Sequence, residues 1–296
     1  MHLSGEKRKM GLLRPDRLLS RPFCAMFLVL LLIGAAGCSK NRAERKYDQG
    51  VVALEHLDLA GAREDFSGAI AKSPVARIRG KAYFRLGRMD DLYQNDPLQA
   101  SQDYMKALEN LQGGAIRQKV SFFLARDLDR LSRSDQALEI LEKIDADSLD
   151  NEFQGRVFLL MARIYEHREN YRDASRFYKK VVRSVPDGFT GEKARYKLGL
   201  MDAFLGNSSG ASVRLAAFLK RYPDSTFASV ARLNLASIDE KDGQYQKALD
   251  LLNALISSYP NPALINQRIM ELRKKMDSHA VGGQQPDVHP VSGASG

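Results

Sequence analysis

Few side chains in this sequence can act as nucleophiles, and its two cysteines both lie near the amino terminus. Cys24 falls inside an apolar stretch, and Cys38 directly follows the small residues 34–37. The rest of the chain has no thiol, so it can form neither a disulfide nor a thiolate metal site. Folding of that part is therefore independent of the redox state of its compartment.

The residues before Cys38 have the organisation of a secretory signal. Basic side chains occupy positions 7–21, the apolar run Phe23–Ile33 is too short to span a bilayer as a helix, and small residues precede a cut site. Ala35-Ala36-Gly37-Cys38 resembles the lipobox of bacterial lipoproteins. The resemblance implies that residues 1–37 are removed and that the thiol of Cys38 and its new amino group are acylated, with palmitate as a typical chain.

Two other interpretations of Cys38 stay open, an ordinary signal peptide that holds a cysteine and an uncleaved anchor. In the lipoprotein interpretation, Ser39 after the cysteine favours the periplasmic face of the outer membrane. Residues 38–42 then form a short tether, and two or three acyl chains suffice for stable anchoring. Five extended residues keep the folded part within roughly 20 Å of the membrane.

Catalytic patterns find no support elsewhere. Ser208 lies in a Gly-x-Ser-x-Gly pattern, Gly206–Gly210, but a nucleophile elbow needs a strand before it, and helices are predicted on both sides. His56, His167, His279 and His289 lack ligand spacing. We therefore predict a protein that is not an enzyme and that has no metal site and no cofactor.

A column of basic residues recurs at equivalent positions of predicted helices. Its members are Lys81, Arg88, Lys119, Arg126, Arg156, Arg163 and Lys193. Such a column can hold an acidic segment or a terminal carboxylate by charge-assisted hydrogen bonds. The alternative is that the arginines form intrahelical ion pairs with acids three residues on, Arg88 with Asp91, Arg126 with Asp129 and Arg163 with Glu166.

Aromatic residues accompany this column on the same predicted face. They are Tyr47, Phe84, Phe122 and Tyr196. Two roles are open for them: apolar anchors for a bound peptide, or packing between neighbouring helices.

Composition excludes general disorder and gives no sign of nucleic-acid binding. The chain is 44% hydrophobic and 27% charged, with a formal charge of +9. Without residues 1–37, which hold six basic and two acidic side chains, 39 basic and 34 acidic residues remain, or +5. That excess is too mild to indicate a nucleic-acid partner, and no motif for one is present.

The elements that position these residues repeat every 37 or 38 residues. Each unit has a small residue on its first helix: Gly50, Gly87, Ala125, Ala162, Gly199 and Ala236. Twelve or thirteen residues later stands an alanine: Ala62, Ala100, Ala137, Ala174, Ala211 and Ala248. Four residues further is a large side chain: Phe66, Tyr104, Leu141, Tyr178, Leu215 and Leu252. This spacing predicts two antiparallel helices in close approach, with the large side chain beside their crossing.

Turn and stop signals separate the predicted helices. Prolines end four units: Pro74, Pro186, Pro223 and Pro260. The predicted turns within units are Gly61, Asn95-Asp96-Pro97, Ser134-Asp135, Asn170, Gly206-Asn207 and Gly243.

This arrangement resembles the tetratricopeptide repeat, a helix–turn–helix unit of 34 residues. The match is good for Leu198-Gly199…Ala211…Leu215…Phe218…Pro223. Phe218–Phe227, with Tyr259-Pro260 at the next junction, also resembles the repeats of outer-membrane lipoproteins of the β-barrel assembly and Tol–Pal coordinator families. The resemblance implies an all-α fold, a right-handed superhelix of about six repeats over residues 43–260.

A capping helix is predicted at 261–277, with Ile265, Ile269, Leu272 and Met276 on its apolar face. The tail 278–296 is rich in Gly, Ser, Pro and Gln and is predicted to be disordered.

Three classes of function fit this organisation. The leading hypothesis is a periplasmic scaffold for protein partners in envelope assembly, with Tol–Pal-like coordination and pilus or polysaccharide secretion as alternatives. The second is a glycan-binding accessory of an envelope enzyme. The third is a structural oligomer whose surface is filled by another copy of the chain or by its own tail.

Overall fold

The computed structural model describes residues 42–282, which are all helical apart from turns and short links. The predicted signal peptide, Cys38, residues 39–41 and the tail beyond 282 lie outside the described residues. The chain divides into two compact units, with the boundary between Val120 and Ser121.

The first unit contains four helices and the start of a fifth. They are α1 (42–55), α2 (Leu59–Lys72), α3 (Ala76–Met89), α4 (Pro97–Asn110) and α5 (Gly114–Arg130), of which α5 holds the boundary. The second unit continues with α6 (Ser134–Glu142), α7 (Asn151–His167), α8 (Tyr171–Ser184), α9 (Gly188–Phe204), α10 (Ser208–Arg221), α11 (Ala228–Lys241), α12 (Tyr245–Asn253) and α13 (Pro262–Gly282). Within 42–282 no residue is in a β-strand. The prediction of an all-α chain of helix–turn–helix repeats is confirmed.

The repeated small, alanine and large positions form the contacts between paired helices. All six alanines, from Ala62 to Ala248, are fully buried, and the six large side chains are at most 2% exposed. A Cβ at Gly50 would stand 2.8 Å from the ring of Phe66, and one at Gly87 would stand 2.7 Å from the ring of Tyr104. The first helix therefore approaches its partner at a distance that only the smallest side chains permit.

A left-handed residue ends the turn at the same place in every repeat, five positions before the recurring alanine. These residues are Leu57, Asn95, Ser132, Glu169, Gly206 and Gly243, with φ between 52° and 80°. In four repeats the next residue caps the second helix through its side chain: Asp58, Asp96, Asn170 and Asn207. The prediction of turns at Gly61 and at Ser134-Asp135 is wrong, because these residues lie inside the first turn of the following helix.

One interval between successive small residues, from Gly87 to Ala125, is 38 residues long and not 37, and this difference has a local structural cause. The additional residue falls between Gly87 and Ala100, where α3 continues as a π-helical turn, Asp90–Gln94. A π turn accommodates one more residue than an α turn without ending the helix. It buries Asp90 and Asp91, of which Asp90 accepts a hydrogen bond from Arg63 of α2.

The last helix covers the end of the second unit. Ile265, Ile269 and Leu272 are buried against α11 and α12, in a cluster that includes Leu252 and Leu255. This helix continues to Gly282, beyond the predicted end at residue 277. No glycine or proline interrupts the sequence before Gly282, so nothing local ends the helix earlier.

Candidate functional site

The basic column of the second unit lies on the first helices of successive repeats, α5, α7 and α9. We call the set Arg126, Arg156, Arg163 and Lys193 the first-helix cations. Each is held differently, and the contacts of each determine what it can offer to a ligand.

Arg156 is held by aromatic rings. Its guanidinium carbon lies 5.2 Å from the ring centre of Phe122, 5.7 Å from that of Phe123 and 4.9 Å from that of Phe153. The three rings contact one another edge to face, with centroids 5.0 to 6.1 Å apart. Cation–π attraction to three rings thus fixes the position of this guanidinium.

Arg126 and Arg163 both contact carboxylates. Arg126 donates to Asp127 from Nε at 3.2 Å and from Nη2 at 3.0 Å. Arg163 lies 3.5 Å from Asp129 of α5 rather than forming the predicted intrahelical pair with Glu166. Because Arg163 is 41% exposed, its guanidinium is accessible to a ligand.

Glu166 joins three helices. It accepts a hydrogen bond from the hydroxyl of Tyr178 on α8 at 2.5 Å and pairs with Lys197 on α9 at 2.6 Å. Burial raises the pKa of Tyr178, and the hydrogen bond and charge of Glu166 raise it further. The carboxylate therefore fixes the position of Lys197 beside the first-helix cations.

Lys193 has no ion-pair or hydrogen-bond partner among residues 42–282. Partial burial lowers the pKa of its ammonium group, the positive charges of Arg163 and Lys197 lower it further, and Glu166 opposes them. Arg163, Lys193 and Lys197 therefore form a positively charged surface that Glu166 and Asp129 only partly neutralise. An incoming carboxylate would relieve repulsion at Lys193.

In the first unit the predicted residues Lys81, Tyr47, Arg88 and Phe84 are half-buried. The Lys81 ammonium lies 6.0 Å from the ring centre of Tyr47. Arg88 forms the predicted intrahelical pair with Asp91, at 3.3 Å. The ring centroids of Phe84 and Tyr104 are 6.0 Å apart. Lys119, at the end of this unit, is also half-buried.

Two of the four predicted aromatic anchors are packing residues. Phe122 and Tyr196 are only 4% and 6% exposed, so neither is accessible to a peptide. Tyr196 stacks on Phe227 at 5.4 Å and accepts a hydrogen bond from Asn234 at 3.0 Å. Tyr47 and Phe84 keep partial exposure.

The residues of the catalytic patterns that the structure describes lie on helices or in turns. Ser208 is the first residue of α10, after a turn that follows a helix rather than a strand. His56 and His167 are exposed. Among the described residues, no three His, Cys, Asp or Glu side chains are grouped so as to hold a metal ion. None of the helices in that range is long and apolar enough to cross a bilayer.

Basic residues of the second helices were not singled out in the sequence. Lys179 and Arg183 are four residues apart on α8, and Arg214 and Arg221 are seven apart on α10. Each spacing places both members of a pair on one helix face. That regularity is the signal that could have revealed them. Together with Arg195 of α9 they line one pocket.

Comparison with known proteins identifies the repeat type. The tetratricopeptide repeat model matches residues 193–225 and 230–262, in the fifth and sixth units. A search of curated proteins gave no match.

Solved structures share the fold over most of this chain. A tetratricopeptide repeat protein from Parabacteroides merdae has a TM-score of 0.58 at 14% identity, covering 81% of this chain and 90% of its own. PilF of Pseudomonas aeruginosa has a TM-score of 0.57 at 15% identity, and the match covers 79% of this chain and 99% of PilF. MamA has a TM-score of 0.52 at 16% identity, and the match covers 62% of this chain and 92% of MamA. At these identities the likeness establishes the fold alone, an array of helix pairs of the tetratricopeptide type.

Proposed function

We propose that this protein is a lipid-anchored scaffold of a bacterial cell envelope that binds acidic segments of protein partners on its first helices. Tetratricopeptide repeats are stacked helix pairs, and such arrays provide extended binding surfaces. The anchor rests on the sequence around Cys38. The partner chemistry rests on the first-helix cations.

The single observation that carries the binding proposal is the environment of Lys193. Burial and two neighbouring cations lower the pKa of the Lys193 ammonium group. The surroundings of this group therefore carry too little negative charge to balance its positive charge. A carboxylate bound there would gain charge-assisted hydrogen bonds from Lys193 and from the exposed guanidinium of Arg163. It would also raise the pKa of Lys193, so binding is coupled to retention of that proton.

The cellular setting follows from the proposed anchor. Ser39 favours the outer membrane and the short tether keeps the repeats near it, which suits a partner in or close to the same bilayer. Assembly of outer-membrane proteins is the leading role within this setting. Coordination of the Tol–Pal type and pilus or polysaccharide secretion are its alternatives.

Palmitate labelling in growing cells tests the anchor. We expect the wild-type protein to be labelled and to sediment with outer membranes, and Cys38→Ser to lose both properties. Cys24→Ser is the matched control, because Cys24 lies within the segment that cleavage removes, and it should be labelled normally. Labelling of Cys38→Ser, or none in wild type, contradicts the anchor.

Photo-crosslinking tests the binding surface. A crosslinker at Arg163 or Lys193 should capture a protein, and one at Arg172 or Lys220, exposed cations of second helices, should not. Capture should be lost when Arg163→Glu and Lys193→Glu are combined and kept in the charge-matched control Arg172→Glu with Lys220→Glu. Equal capture by both double variants, or recovery of glycan or lipid only, contradicts the proposal.

A further inference from the structure

A pocket of about 450 Å³ opens between α8, α9 and α10 of the second unit. It is lined by Lys179, Val182, Arg183, Arg195, Leu198, Arg214, Ala217, Phe218, Arg221 and Tyr222. We call it the α8–α10 pocket. Its volume lies in the range of small-molecule sites, roughly 300–1,000 Å³.

Five of its ten lining residues are cations, and none is a carboxylate. Arg214 and Arg221 are neutralised from outside the lining, by Asp202 at 2.6 Å and Asp187 at 2.8 Å. Lys179 and Arg183 have no ion-pair partner among the described residues. The pocket therefore has excess positive charge, to which Lys179, Arg183 and Arg195 contribute.

Arg195 contributes an unused donor. Its Nη2 donates to the carbonyl of Pro186 at 3.1 Å, which orients the guanidinium. Its Nε is buried and has no hydrogen-bond acceptor within residues 42–282. A buried donor without an acceptor is unfavourable, so this guanidinium has hydrogen-bonding capacity that the surrounding protein does not satisfy.

The remaining walls are apolar or aromatic. Leu198 and Phe218 are buried, and Val182 and Tyr222 are partly exposed. Arg221 donates to the hydroxyl of Tyr222 at 2.8 Å and lies over its ring at 5.4 Å. The pocket thus pairs a cationic rim with a surface for the uncharged part of an organic ligand.

From this arrangement we propose that the α8–α10 pocket binds a phosphate-bearing ligand. A phosphate monoester carries about two negative charges in one compact group, whereas a carboxylate carries one. Three uncompensated cations around so small a volume match the phosphate better. Arginine forks also donate in pairs to phosphate oxygens.

The ligand can be a soluble phosphate monoester or a phospholipid whose headgroup is a phosphate monoester, since both present the same group. An acidic protein segment is a different class of partner and fits less well, because its carboxylates are spread along a chain. This inference is independent of the proposed scaffold function, which rests on the first-helix cations.

Titration calorimetry of the purified protein with inorganic phosphate, in a buffer free of other multivalent anions, tests the site. We expect saturable binding that Lys179→Ala combined with Arg183→Ala weakens at least about tenfold. Arg172→Ala combined with Lys220→Ala is the matched control, since it removes two exposed cations, one of α8 and one of α10, that do not line the pocket. That control should change affinity less than about twofold.

Thermal melting accompanies both double variants, and each should unfold within a few degrees of wild type. Equal losses of phosphate affinity in the two variants overturn the proposal, because the attraction is then a general effect of charge. No saturable binding by wild type also overturns it. Binding of a poly-glutamate peptide that exceeds binding of phosphate overturns it in favour of an acidic protein segment.

Vesicle sedimentation separates the two sources of phosphate. It uses the Cys38→Ser background, so that a lipid on Cys38 cannot drive binding. Phosphatidic acid in phosphatidylcholine vesicles should raise sedimentation in a pocket-dependent way if the ligand is a headgroup. Phosphate binding by calorimetry without such a rise assigns the pocket to a soluble ester. Either result supports a phosphate site, and a rise that persists in the pocket variant counts against it.

Discussion

A methyl group added at Gly199 would stand 2.7 Å from Cδ2 of Leu215, across the crossing of α9 and α10. Leu215 is fully buried beside this crossing. Close approach of the two helices therefore depends on the missing side chain at Gly199, and the same relation joins Gly50 to Phe66 and Gly87 to Tyr104.

Gly199→Ala should destabilise the protein by about 1–3 kcal/mol, because overpacking forces a buried side chain or a helix to move. Gly68→Ala is the control: it lies inside α2, where the added carbon would meet only Lys46 at an ordinary 3.6 Å. There alanine should stabilise the helix by up to about 1 kcal/mol. Urea unfolding measures both changes, and destabilisation of similar size in the two variants would refute the crossing argument.

Substitution of a left-handed glycine in a turn should change the stability of the protein through its backbone conformation and not through packing. Gly206 has a φ of +80° and no atom within 4 Å of an added Cβ. Gly206→Ala should cost about 1 kcal/mol through the left-handed backbone alone. Gly113 is equally open and does not have a positive φ, so Gly113→Ala should be neutral or mildly stabilising. Thermal unfolding of both variants checks the difference, and a loss at Gly113 as large as at Gly206 would exclude backbone strain as the cause.

The hydrogen bond from Tyr178 to Glu166 predicts a measurable coupling. Tyr178→Phe should cost about 1.5–3 kcal/mol, the usual range for a hydrogen bond to a charged group. A double-mutant cycle with Glu166→Gln isolates the pair, and its coupling energy should be at least about 0.5 kcal/mol. Additive losses in urea unfolding would mean that the hydroxyl and the carboxylate stabilise the fold separately.

The π turn predicts a pH dependence. Burial raises the pKa of Asp103 to about 6, Lys106 opposes this, and the charge of buried Asp90 adds to it. The folded-state pKa lies above that of the unfolded chain, so the folded state binds more protons between about pH 4 and 6. This group's contribution to the free energy of unfolding should therefore fall by about 1–3 kcal/mol as pH rises through that window.

Asp103→Asn should remove that part of the pH dependence. The expected result is a flatter melting temperature between about pH 4 and 6 and a gain in stability at pH 7, where wild type buries a charge. Glu109→Gln is a control of equal charge change at an exposed position of the same helix, and it should keep the wild-type slope. An unchanged slope in Asp103→Asn would assign the titration to other groups.

Much of the fold could be read from residue spacing because a repeat array is held by contacts between neighbours in sequence. Gly199, Ala211 and Leu215 form one such contact set, and their separations alone predict two crossing helices. Asn170 and Asn207 likewise indicate where second helices begin, since capping is local. Asn95, Gly206 and Gly243 lie in predicted turns, whereas the left-handed residue escaped prediction in the other three repeats because Leu57, Ser132 and Glu169 occupy positions that glycine usually marks.

The sequence alone therefore determined the repeat, the helix class and the candidate anchor at Cys38, because each depends on residue types at short, regular separations. Only the tertiary structure decided which charges remain available. Arg163 pairs with Asp129, 34 positions away, Glu166 joins Tyr178 and Lys197, and the α8–α10 pocket collects cations from three helices. Those outcomes depend on distances between helices, which side-chain volumes at the crossings set and spacing along the chain does not.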